Sequence, residues 1–261
     1  DFRALAEYTV NAYKQFEAEG RFSKATHETK LKMLTYAVNA YFEVEAYETS
    51  LRYTRYLEAA MYEYDALLYE KYMFFYYNAL VINYAALDLD RAIAILNSLK
   101  ADKKLSENGF YSSFIYSNLA IFYYRKGDVD RALTQLIELY RSDDFDDLSE
   151  DLKIRLWIFE LMMRFDNEEA DIVRYRMKQI KHDVFEAQSN SDRELLMLEG
   201  LQVVLKRGEK QATIRRLYHL AEQVGELQEE WIDYGKWLTK KAEQLKEAAP
   251  EAKDSTLKGD K

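Results

Sequence analysis

Three histidines, His27, His182 and His219, are the first residues to test for metal or acid–base chemistry. Di-iron helical bundles place Glu three residues before a ligand histidine, on the same helix face. Lys24, Gln179 and Arg216 occupy those places here. The sequence also lacks His-Glu-x-x-His, a phosphate-cradling glycine loop and Gly-x-Ser-x-Gly. It has no cysteine, which excludes disulfides, thiolate metal sites and cysteine nucleophiles. The acidic run Asp143-Asp-Phe-Asp-Asp147, with Glu150 and Asp151 after it, raises the question of calcium. An EF-hand loop starting at Asp143 needs Gly at its sixth place and Glu at its twelfth, and Leu148 and Ile154 stand there. The run reads as a solvated loop, its acids favourable beside a helix that starts near Ser149. Docking of a basic partner is the alternative reading. The expectation is no catalytic residue, no metal and no cofactor: a protein that is not an enzyme.

The elements that carry these residues are helical. The chain holds one Pro and eight Gly, too few turn formers for sheets and hairpins. Apolar residues make up 48% of its 261 positions, enough for a continuous core, while 32% charged residues and a mean hydropathy of -0.48 indicate a soluble surface. The most apolar stretch, 72–87, is broken by Asn78 and Asn83 and reads as a buried helix, short of the roughly 18 uninterrupted apolar residues of a membrane span. Lys and Arg number 37 against 46 Asp and Glu, a net charge of -9. Nucleic-acid binding draws on clustered Lys and Arg, so that partner is not expected. No signal-peptide pattern opens the chain, and a cytoplasmic location is the expectation. The first residue is Asp1, without Met, which suggests a piece of something longer.

Self-similarity is strong. Asn78-Ala-Leu-Val-Ile-Asn-Tyr84 is followed by Asp88-Leu-Asp-Arg-Ala92, Leu96 and Leu99. Asn118-Leu-Ala-Ile-Phe-Tyr-Tyr124 is followed by Asp128-Val-Asp-Arg-Ala132, Leu136 and Leu139, every position displaced by 40. Each unit opens with an apolar helix, breaks near Leu87 or Gly127, and restarts at an aspartate suited to cap the next helix. Ala92 and Ala132 then let the second helix cross the first closely. Weaker copies flank the pair. Gly208-Glu209 repeats Gly127-Asp128 two periods on, 156–165 and 172–180 supply a hairpin between them, and 31–44 with 51–62 supply one upstream. A helix over 2–18 looks like half of a repeat. A closing helix over 231–245 carries Lys236, Lys240 and Lys241 beside Trp231, Tyr234 and Trp237. It reads as a cap with its tryptophans packed on the last hairpin; docking at a membrane surface is the alternative. Residues 1–249 thus form one repeat domain, and 250–261 a polar, disordered tail.

The stretch from Tyr116 through Leu119-Ala120, Tyr123, Gly127-Asp128 and Ala132 to Leu136 and Leu139 resembles a tetratricopeptide (TPR) unit. The preceding unit departs from it, with Asn83 in place of an aromatic and Leu87 in place of glycine. The period of 40 also exceeds the family's 34, and the proline that ends a unit is missing. The resemblance implies an all-α, right-handed superhelical solenoid of antiparallel helix hairpins, whose first helices line a concave groove that holds partner peptides. Facing that groove would be Phe74, Tyr77, Val81 and Tyr84 in one unit and Phe114, Ser117, Ile121 and Tyr124 in the next, with Asn78 and Asn118 beside them. Residues 72–84 and 110–124 contain no basic side chain, so a clamp for a terminal carboxylate is not expected there. The leading expectation is a scaffold binding a protein or peptide through an apolar or aromatic segment, or associating with itself. Packing of these aromatics inside the molecule is the competing reading. A sensory or regulatory segment of a larger signalling or transcription-regulating protein is the functional alternative.

Overall fold

The computed structural model describes residues 2–106, 108–186, 192–206, 208–227 and 232–248. Among the described residues the chain is all-α, with fourteen helices and no strand. No helix among them is long and apolar enough to cross a membrane. Two compact units divide between Phe122 and Tyr123. The expected tail, 250–261, lies outside the described residues.

The first unit contains α1 (Phe2–Ala18), α2 (His27–Glu43), α3 (Tyr47–Met61), the short α4 (Glu63–Ala66), α5 (Tyr69–Leu87), α6 (Leu89–Ala101), α7 (Lys103–Ser106) and most of α8 (Gly109–Arg125). Neighbours in sequence pack as hairpins, α2 with α3 and α5 with α6, and α5 touches both helices of the hairpin before it. The helical spacing of Leu31, Leu34 and Val38 directs one face of α2 inward, where Leu57 and Met61 of α3 and Val81 of α5 are also fully enclosed. Burying each such side chain contributes about 1.5–3 kcal/mol. The Ser50 hydroxyl of α3 donates to the Val38 carbonyl of α2 at 2.8 Å.

The repeated Asp-x-Asp-Arg-Ala block has a physical role at its first aspartate, its arginine and its alanine. Asp88 and Asp128 accept from the backbone N–H of Arg91 and Arg131, each at 3.1 Å, and so cap their helices. Arg91 covers the Tyr84 ring at 4.3 Å and Arg131 the Tyr123 ring at 4.8 Å. Ala92 and Ala132 are wholly buried. Gly127 supplies a left-handed residue, φ 79°, that lets the Asp128 N–H return to the Tyr123 carbonyl at 2.9 Å. At Leu87 no such residue is needed, because Asp88 N–H bonds the Tyr84 carbonyl at 2.6 Å.

The second unit contains the end of α8, α9 (Val129–Tyr140), α10 (Glu150–Asp166), α11 (Ala170–Glu186), α12 (Asp192–Leu205), α13 (Lys210–Gly225) and α14 (Tyr234–Glu247). Here α12 touches both α10 and α11, and α14 touches both α12 and α13. Gly200 sits in the middle of α12 where Leu238 of α14 leaves no room for a Cβ. The acidic run forms a short 3-10 turn, Asp143–Phe145, ahead of α10, and the Ser149 side chain caps that helix. Phe145 within the run is buried against Tyr140, with ring centroids 4.8 Å apart.

The closing helix begins at Tyr234 rather than at 231, and Trp231 lies outside the described residues. Trp237 reaches past the last hairpin to Phe165 of α10, with ring centroids 5.6 Å apart.

Candidate binding site

The second of the two repeat-matched helices meets the first through aromatic rings. Phe74 of α5 lies 4.4 Å from Phe110, 5.2 Å from Phe114 and 6.0 Å from Tyr111 of α8, centroid to centroid. Contacts at these separations, edge-on or tilted, stabilise by about 0.5–1.5 kcal/mol each beyond the area they bury. The cluster is not sealed. Phe110 is 61% exposed and Phe75, one residue from Phe74, 46%. Phe74 and Phe114 are half-buried.

Tyrosines extend this face along α5. The Tyr76 and Tyr77 rings are 5.1 Å apart, and the Tyr76 hydroxyl donates to Glu58 of α3 at 2.6 Å. The Tyr69 ring lies 5.2 Å from that of Tyr62, centroid to centroid. Burial raises the pKa of Tyr76 and Tyr77, so both remain neutral phenols across the biological pH range. The result is a surface of neutral rings with hydroxyls and the Glu58 carboxylate at its margin.

Of the residues placed on the groove by sequence, Phe74, Tyr77, Asn78, Phe114 and Asn118 are half-buried and fall in the first unit. Val81, Tyr84, Ser117 and Ile121 are buried. The Ser117 hydroxyl donates to the Ser113 carbonyl at 2.5 Å, and Asn118 Nδ2 to the Phe114 carbonyl at 2.8 Å. Both side chains thus turn back on their own helix. Asn83, absent from the sequence-based set, is fully buried; its Nδ2 bonds the Ala79 carbonyl at 2.8 Å and its Oδ1 has no partner. Phe110 was also absent from the set, although its position four residues before Phe114 puts it on the same helix face.

Tyr124 belongs to the second unit and to a different environment. Its ring stands edge-on to Phe159 at 5.2 Å, and its hydroxyl donates to Asp166 at 2.7 Å. Burial, reinforced by that carboxylate, raises its pKa. Asp166 also accepts from Trp237 Nε1 at 3.2 Å and pairs with Lys241 at 2.5 Å. The lysine lies over the rings of Phe165 and Trp237, at 5.4 and 5.3 Å. Asp166 and Lys241 are each only 11% exposed. This cluster joins α8, α10 and α14, and its donors and acceptors are engaged with one another.

Among the described residues no group of three His, Cys, Asp or Glu could hold a metal ion. No family model matches the chain, and no curated protein or solved structure shows significant similarity to it.

Proposed function

We propose that the chain is a TPR-like stack of helical hairpins that binds a peptide or protein segment, and that the α5–α8 aromatic face is its docking surface. The observation that carries this reading is the half-open ring cluster of Phe74, Phe110 and Phe114. Rings held on two helices lose little conformational freedom on binding, which is why aromatics dominate the energetics of interfaces. The neutral rings of the Phe74, Phe110 and Phe114 cluster favour an apolar or aromatic anchor over a charged terminus. Tyr77 and Asn78 at its edge offer hydrogen bonds to the backbone of an extended or helical segment. The contact of α5 with both helices of the preceding hairpin, and the block shared at a 40-residue spacing, support the repeat reading.

The test is selection from a random peptide library on the full chain, followed by affinity measurement on a Phe110→Ser/Phe114→Ser variant of equal helicity. Enriched peptides carrying apolar or aromatic anchors, with affinity reduced about tenfold or more by the double substitution, support the proposal. Enriched peptides that bind both proteins equally place docking elsewhere.

A further inference from the structure

A groove on the second unit, along α11 and α12, has a charge opposite to the balance of the chain. Two adjoining hollows of about 800 and 650 Å³ share His182 on their walls. Lys181 and Lys206 line the first together with Leu195, Leu198 and Val203; Lys178 lines the second together with Trp157. Lys181 is held at the wall by a 2.8 Å hydrogen bond to the neutral Gln202. Glu199, the carboxylate of the first hollow, is taken up by Arg216, whose Nε and Nη2 approach it to 2.7 and 2.5 Å. Arg176, in the second hollow, is committed to the buried Glu160 at 2.9 Å. Among the described residues, Lys178, Lys181 and Lys206 therefore set the charge of the groove.

We infer that this groove binds an acidic peptide segment that also carries an apolar side chain. The lysines supply charge complementarity along its edges. The apolar lining of Leu195, Leu198 and Val203 and the Trp157 ring call for an anchor that carboxylates alone do not provide. A long polyanion such as nucleic acid would meet the field of a chain with net charge -9, whereas a short acidic peptide engages only the local lysines. The groove lies in a different unit from the α5–α8 face and stands independently of it.

The experiment is fluorescence anisotropy on the full chain with a fluorescein-labelled peptide of alternating glutamate and leucine. Two controls replace glutamate by glutamine or leucine by serine. The acidic, leucine-bearing peptide should bind, weaken with added salt, and exceed both controls by about tenfold or more. Lys181→Glu/Lys206→Glu should weaken it by at least the same factor. Lys181→Gln/Lys206→Gln serves where the charge reversal disturbs the fold, which circular dichroism reports. Equal binding of the glutamine peptide, or of either lysine variant, overturns the inference. So does stronger competition by a single-stranded oligonucleotide than by unlabelled peptide. Self-association that disappears in the lysine variants, with no peptide binding, would also overturn it and make a second copy the occupant.

Discussion

Replacing Asp166 by alanine should destabilise the second unit by about 3–5 kcal/mol, the range for leaving one partner of a buried ion pair uncompensated. The structure shows why the loss falls at that level. Lys241, 11% exposed, loses its carboxylate but is kept in place by the faces of Phe165 and Trp237 and by Gln244 at 3.1 Å. The Tyr124 hydroxyl and Trp237 Nε1 lose their acceptor in the same step, and an unsatisfied buried donor costs about 1–3 kcal/mol. These terms share one carboxylate and do not add. An Asp166→Asn/Lys241→Met protein removes both charges, keeps an acceptor for tyrosine and tryptophan, and should return to within about 2 kcal/mol of wild type. The assay is equilibrium urea unfolding followed by tryptophan emission. All three tryptophans, Trp157, Trp231 and Trp237, belong to the second unit, so the signal is specific to it. A loss below about 1 kcal/mol for Asp166→Ala, at unchanged urea dependence, would refute the reasoning. So would a double variant as unstable as the alanine single.

Asn83→Leu should stabilise the first unit by about 1 kcal/mol, because it removes a fully buried Oδ1 that has no partner, and a raised melting temperature by far-ultraviolet circular dichroism checks it. His27 predicts a pH dependence. Burial lowers its imidazole pKa from the ordinary 6.5, and Glu63 at 3.7 Å opposes the shift only in part. The unfolded chain therefore takes up the proton first on acidification, so the contribution is fully present above pH 6.5 and is lost as pH falls below it. The urea midpoint should drop between pH 7.5 and 5.5, with a shallower slope in a His27→Phe protein; parallel slopes would contradict this assignment.

Helices and caps were legible because they rest on local chemistry. The α1 boundaries, the breaks after Leu87 and Asp166, and the capping roles of Asp88 and Asp128 follow from apolar periodicity and single side chains. The backbone geometry that closes such turns was not, since Glu45 and Glu168 adopt φ of 59° and 63° without a glycine to announce a left-handed residue. The candidate face was partly legible. Sequence placed Phe74 and Phe114 on it, but α5 and α8 are apolar all round, so periodicity could not separate inward residues such as Val81 and Ile121 from outward ones. The Asp166 cluster could not be read at all: its tryptophan lies 71 residues away, and nothing local links the two. Trp237 carried a sequence signal for packing but none for its partner.

The most direct test of the central claim is residue-resolved binding on the α5–α8 face. A photo-crosslinking amino acid placed at Phe110, 61% exposed, and in a second protein at Tyr8, 74% exposed on α1, would be challenged with a library-selected peptide and mapped by mass spectrometry. The account predicts crosslinks from position 110, competed by unlabelled peptide, and none from position 8. Crosslinks at both positions alike, or at position 8 alone, would contradict it.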